Sequence, residues 1–138
     1  MPIKYPPSRG QILICDFSGL MPHEMSKIRP VIVLSPKIAH RSNICTVVAL
    51  STTQPKWIES YHYELHLKIP LPAPFDKPIM WVKGDMLYTV NIERLNRPHT
   101  KKPGCKREYL VYSVEKDDLN AIELCVLSGL GITLTKPN

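Results

Sequence analysis

Apolar positions along this chain fall into short runs separated by polar, proline-bearing stretches, and the period of those runs predicts strands over most of its length. Gln11 to Phe17 (Q-I-L-I-C-D-F) is the first run. Val31 to Ser35 and Ile44 to Leu50 follow, continuous and rich in β-branched residues, as strands buried on both faces are. Pro30 fits a strand start or edge because it has no N–H for a ladder. Tyr61 to Lys68 alternates instead. Tyr61, Tyr63, Leu65 and Leu67 lie on one face; His62, Glu64, His66 and Lys68 lie on the other. Ile79 to Lys83 and Asp85 to Val90 read as two further strand segments, with Gly84 a bulge or turn between them, and Asn91 to Arg94 as a short turn or single helical turn.

The last periodic segment is helical. Leu119, Ile122, Val126 and Gly129 recur at spacings of three or four, with Cys125 and Leu130 alongside, predicting a helix over 113–131. Ser113 or Asp117 is the expected cap. Glu115, Asp117 and Asp118 sit where a helix N-terminus favours negative charge, and Gly129 and Gly131 end the element.

The stretches between these runs are read as connections. Residues 1–10 form a proline-bearing arm and turn, Ser18 to Ile28 a polar loop with Gly19 and Pro22 as breakers, and Ser51 to Ser60 another loop. Residues 69–78 hold four prolines and form an extended loop. Arg97 to Arg107 is a basic loop without periodicity. The pattern predicts a mainly β (α+β) chain, a small β-barrel with a C-terminal helix, organised as a single domain over 1–138.

Composition narrows the function classes. No apolar run approaches the roughly 18 residues of a membrane span, and the N-terminal M-P-I-K-Y-P-P lacks the apolar stretch of a signal peptide, so a cytoplasmic location and no membrane partner are expected. The cysteines Cys15, Cys45, Cys105 and Cys125 are scattered without a C-x-x-C pair, which reads as buried free thiols rather than a zinc site. Lys and Arg number 18 against 12 Asp and Glu, a net charge of +6, which points to a polyanion: a nucleic acid or an acidic protein. His62 and His66 mimic a helical metal motif, but on a strand they lie about 13 Å apart, too far to share an ion. The prolines of 70–78 have P-x-x-P-like spacing, for which a rigid connection is the simpler reading.

Four ordered segments resemble the PemK/MazF family of bacterial toxins. They are Arg9-Gly10-Gln11-Ile12 before the first strand; His23-Glu24 followed by Arg29-Pro30-Val31-Ile32-Val33; Val47 to Thr53; and Val82-Lys83-Gly84-Asp85 with Thr89-Val90 and Glu93-Arg94-Leu95. The match is nearly collinear over about 9–96, leaving 97–112 as a basic loop and 113–131 as the terminal helix. The resemblance implies an SH3-like barrel, a homodimer, and metal-independent endoribonuclease activity on single-stranded RNA without a cofactor. It also implies neutralisation by a cognate antitoxin with a disordered, often acidic tail.

Metal-free RNA cleavage uses the neighbouring 2′-hydroxyl as nucleophile and leaves a 2′,3′-cyclic phosphate and a 5′-hydroxyl. It needs a base, an acid, and donors for the charged phosphorane. Arg29 matches the family's Arg-Pro arginine, and its fork suits a phosphate. Thr52 matches the active-site threonine, with Ser51 and Thr53 as neighbouring RNA contacts. Lys83 and Asp85, two apart on a strand, share a face and are the expected acid and base, although the PemK-like branch has arginine where Lys83 stands. His23 is a further proton-transfer candidate. Glu24 is an RNA contact or alternative base.

After Asp85 the family often reads D-Q-x-R-T, whereas this chain reads Asp85-Met86-Leu87-Tyr88-Thr89. Tyr88 in place of that arginine is a candidate for stacking on a base, and five positive residues in Arg97–Arg107 are candidates for following an RNA backbone. Each of these residues also has an ordinary reading, as an ion pair, a turn hydroxyl or a solvated loop. Two other functions fit the same fold: a non-enzymatic toxin that binds a protein such as DNA gyrase, and a nucleic-acid-binding module that has lost catalysis.

Overall fold

The computed structural model describes residues 2–21, 27–101 and 107–133. Among these, the first five strands are β1 (Gln11–Asp16), β2 (Ile28–Val33), β3 (Ile44–Ser51), β4 (His62–His66) and β5 (Ile79–Asn91). A 3-10 turn (Ile92–Arg94) leads to β6 (Leu95–Asn96), β7 (His99–Lys101), β8 (Arg107–Tyr109), β9 (Tyr112–Ser113) and helix α1 (Lys116–Gly129). The main sheet is antiparallel with order β4-β5-β3-β2-β1-β6, and β9 also pairs with β1. It curls into a half barrel with one helix packed on it, the mainly β architecture expected from the sequence.

Both sheet faces are buried, which explains the continuous apolar runs of β2 and β3. Alternate residues divide between two cores. Leu13, Cys15, Val31, Val33, Val47 and Ala49 join Phe17, Val90, Ile92 and Leu95 on one face. Ile12, Ile32, Val48 and Leu50 join Leu65, Met80, Val82 and the helix residues Ile122 and Val126 on the other. Cys15, Cys45 and Cys125 are buried free thiols, as read from their apolar surroundings. Burial pushes the thiols up, to about 12 for Cys15 and about 11 for Cys45, so they act as small hydrophobes. Cys105 lies outside the described residues. No helix among the described residues is long and apolar enough to cross a membrane.

Three expectations change. Ile79–Lys83 and Asp85–Val90 are one strand: Ala49 pairs with Lys83 and Val48 with Leu87, so Gly84, Asp85 and Met86 leave the ladder as a bulge. The stretch 97–112, read as a loop, contains the β7–β8 hairpin and the start of β9. Its side chains are largely polar and β8 is exposed throughout, so neither strand carries the alternation of a buried face. The helix is capped by neither Ser113 nor Asp117. Ser113 is held in β9 opposite Gln11, and Glu115 stands at the N-cap with no capping side-chain bond. Its carboxylate pairs with Lys68 Nζ at 2.8 Å, which holds it below the usual carboxylate range.

Candidate active site

Arg29 and Thr52 line one cavity of about 750 Å³. The sheet register brings them there. Val31 pairs with Ala49, so the same antiparallel register carries Arg29 opposite Ser51, and Thr52 is the first residue beyond β3. Other walls come from Ser18, Lys27, Ile28, the proline loop at Pro72–Phe75, and Pro98 and His99.

Arg29 has no ion-pair or hydrogen-bond partner among the described residues, and its Nε is buried and unpartnered. Leaving a buried donor unsatisfied costs about 1–3 kcal/mol, more for a charged group. A cavity beside a charged fork with an unsatisfied donor is a place for an anion.

The wall beside Arg29 is shaped by local geometry. Lys27 adopts φ +67°, a left-handed conformation that costs a side-chain-bearing residue of order 1 kcal/mol. Its carbonyl accepts the Phe17 N–H at 2.8 Å. Ser18 donates its backbone N–H to Asp16 at 2.9 Å and its hydroxyl to the same carboxylate, which holds Asp16 low. Arg94 Nη1 donates to the carbonyls of Asp16 at 2.9 Å and Ser18 at 3.0 Å. The family-matched Arg94 therefore fastens the exit of β1 beside the cavity.

The other sequence-predicted residues are placed differently. His23 and Glu24 lie outside the described residues. Ser51 is 7% exposed, and its Oγ accepts the Thr53 N–H at 3.1 Å, so it shapes the turn carrying Thr52. Thr53 is exposed and does not line the cavity. Lys83 and Asp85 also stand outside it. Lys83 is half-buried between Ala49 and His62 on the neighbouring strands. Asp85 is exposed in the bulge, beside Gly129 and close enough to help raise the Tyr61 phenol, whose main perturbation is burial.

No ion pair joins Lys83 to Asp85, and the bulge interrupts the regular alternation of the strand between Lys83 and Leu87. Tyr88 is half-buried, its ring centroid 5.0 Å from that of Phe17, so much of its surface is engaged with the first core. The metal-like histidines do lie on a strand, where His62 Nδ1 accepts the Glu59 N–H at 3.0 Å and His66 pairs with Glu64 at 3.1 Å.

His99 was not singled out in the sequence, yet it lines the cavity with Arg29 and Thr52. It pairs with Tyr109 across the β7–β8 hairpin, ring centroids 5.4 Å apart. Its only sequence signal is an imidazole in a basic segment, and the hairpin that positions it carries no buried-strand period.

Comparisons to known proteins agree with the fold. Residues 8–123 match the family model of the PemK-like, MazF-like toxins of type II toxin–antitoxin systems. The uncharacterized protein YifN of Escherichia coli (strain K12) is 34% identical over 149 residues, covering 90% of this chain and 99% of that protein. Among solved structures, an endoribonuclease in complex with its cognate antitoxin from a mycobacterial species superposes with a TM-score of 0.64 at 19% identity, covering 94% of this chain and 99% of that one. MazF from Deinococcus radiodurans gives 0.59 at 21% identity, covering 94% of this chain and 100% of that one. These two share the fold. With the sequence match over 8–123, the chain belongs to the PemK-like, MazF-like toxin family of type II toxin–antitoxin systems.

Proposed function

We propose that this toxin is a metal-independent endoribonuclease that cuts single-stranded RNA in the Arg29–Thr52 cavity. The observation that carries the reading is the buried, unpartnered Arg29 Nε in a residue that lines a cavity with a hydroxyl and an imidazole. Arg29 holds the non-bridging oxygens of the scissile phosphate, and Thr52 donates a hydrogen bond to the phosphorane. The 2′-oxygen attacks phosphorus and loses its proton to a base from the His23–Glu24 segment. The P–O5′ bond breaks, and His99 gives its proton to the departing 5′-oxygen. The products are a 2′,3′-cyclic phosphate and a 5′-hydroxyl, and no water is consumed. Lys83 and Asp85 have no part in this relay.

The basic surface and the structural likeness to an antitoxin-bound endoribonuclease support a cognate antitoxin with an acidic tail as the physiological inhibitor. A homodimer is the assembly in which we expect the toxin to act. The test is to incubate the protein with a long single-stranded RNA in EDTA and map both new ends. Discrete cuts with cyclic-phosphate and 5′-hydroxyl ends, abolished in Arg29→Ala, are expected. Intact RNA with the wild-type protein overturns the reading and leaves non-catalytic binding, to RNA or to a protein target, as the function of the cavity.

A further inference from the structure

A second cavity of about 450 Å³ shares no lining residue with the first, but the two are lined by neighbouring residues. Arg97 lines the second, while Pro98 and His99, next in the chain, line the first. Across the hairpin, Tyr109 lines the second and its ring partner His99 lines the first, so the His99–Tyr109 pair stands between them. Along β1, Gln11 belongs to the second and Ile14 to the first; three residues apart, they lie on opposite faces of the strand.

The remaining walls come from the N-terminal arm and from Lys37. Ile3 anchors the arm by donating its N–H to the Leu95 carbonyl at 2.9 Å and packing on the first core. Prolines 2, 6 and 7 limit the arm's freedom, and Pro7 is buried. Lys4 and Tyr5 are thereby held at the rim, with Tyr5 78% exposed. Among the described residues, Lys4, Lys37 and Arg97 are exposed and have no ion-pair partner, and no acidic side chain lines the cavity. Residues 2–7 precede the segment matched by the family model, so this cavity depends on chain outside that match.

We propose that this second cavity binds the RNA strand next to the cleavage site, with Lys4, Lys37 and Arg97 on its phosphates and Tyr5 as a stacking platform for a base. The direction of the strand and its cleavage rest on the Arg29–Thr52 reading; the binding itself does not. Cations interleaved with exposed tyrosyl rings match a strand that alternates phosphate and base, whereas an acidic peptide offers charge without flat rings to stack. The His99–Tyr109 contact puts this chemistry one ring pair away from the first cavity, so that an RNA strand passing over the edge of the hairpin reaches both.

The test uses the full chain and fluorescein-labelled 2′-O-methyl RNA of random sequence, 4, 8 and 12 nucleotides long, which has no free 2′-hydroxyl to attack. Wild-type affinity is expected to rise with length. Lys37→Glu/Arg97→Glu should bind the 12-mer about tenfold more weakly and flatten the plot of log affinity against log salt by about 1.4, the loss of two single-strand phosphate contacts. Tyr5→Ala should weaken 12-mer binding by about tenfold while leaving the salt slope in place. It also covers the case in which the double variant fails to fold.

Equal affinities and slopes for wild type and both variants overturn the proposal. So does displacement of the 12-mer by polyglutamate as effectively as by unlabelled RNA, which identifies an acidic-peptide site instead. A wild type that binds these probes with the expected variant losses, yet leaves natural RNA uncut, refutes the proposed cleavage and keeps the subsite.

Discussion

Gly129 of α1 and Gly84 of β5 meet backbone to backbone. A Cβ on Gly129 would stand 2.9 Å from the Gly84 carbonyl oxygen. One on Gly84 would stand 2.6 Å from the Tyr61 carbonyl oxygen and 2.7 Å from that of Cys125. These neighbours are backbone atoms and cannot swing aside. The contact seats the end of the helix on the bulge of β5, while the Gly84 N–H donates to the Tyr61 carbonyl at 2.8 Å. Gly84→Ala is therefore expected to destabilise the fold by about 1–3 kcal/mol, the cost of overpacking. Gly129→Ala gains about 1 kcal/mol of helix propensity, but the clash with the bulge outweighs it, so its urea midpoint should also fall. A raised midpoint for Gly129→Ala would show that the helix end is free to shift.

The same bulge marks the boundary of what the sequence could reveal. The strands through β5 were legible because each buries at least one face and so carries a period or a continuous apolar run. Gly84 announced an irregularity, but not that three residues leave the ladder, because that depends on how the helix docks. Arg29 and Thr52 were legible only as members of an ordered family pattern. What joins them is a register between β2 and β3 that no local period states. His99 was illegible for a related reason: its neighbours are set by a polar hairpin folding back toward the proline loop. Alternation puts Lys83 and Asp85 on one face, and the bulge between them interrupts that alternation in a way the sequence does not state.

Tyr63 donates its hydroxyl to Asp118 Oδ1 at 2.6 Å, tying β4 to the first turn of α1. That carboxylate, helped by burial, pushes the phenol up to about 12. The unfolded phenol titrates near about 10. Folding therefore favours the neutral form, and the contribution is full below the unfolded value and lost as pH rises from about 10 through the folded value of about 12. Tyr63→Phe should be less stable than wild type near neutrality by about 1 kcal/mol, one lost hydrogen bond. The difference should shrink steadily across that alkaline window. Denaturant midpoints of both proteins at a series of pH values check it; a gap that stays constant would show that the tie is not what titrates.

Ser51 and Thr52 are adjacent hydroxyls with opposite expected consequences. Ser51 is buried and accepts the Thr53 N–H, so Ser51→Ala should cost about 1 kcal/mol of stability. Its effect on cleavage should come only through a loosened turn. Thr52 lines the cavity and makes no internal side-chain hydrogen bond among the described residues. Thr52→Val keeps the shape and removes the donor, so stability should hold while RNA cleavage slows by about 100-fold, the usual loss of one preorganised donor. Cleavage rates and thermal unfolding of the two variants decide it, and the reverse pattern would move the chemistry to Ser51.

His99 is the residue on which the proposed proton transfer depends, and leaving-group chemistry isolates its role. If it protonates the departing 5′-oxygen, His99→Gln should lower kcat by about 100-fold with little change in KM. A substrate with sulfur in place of the bridging 5′-oxygen releases a thiolate that needs no proton. On that substrate His99→Gln should recover to near the wild-type rate, which a merely structural defect would not allow. Asp85→Asn supplies the contrast, since Asp85 is exposed in the bulge and lines no part of the cavity. It should stay close to wild type on both substrates. A sulfur-rescued defect in Asp85→Asn, with none in His99→Gln, would place proton transfer on the bulge of β5 and remove the hairpin imidazole from the mechanism.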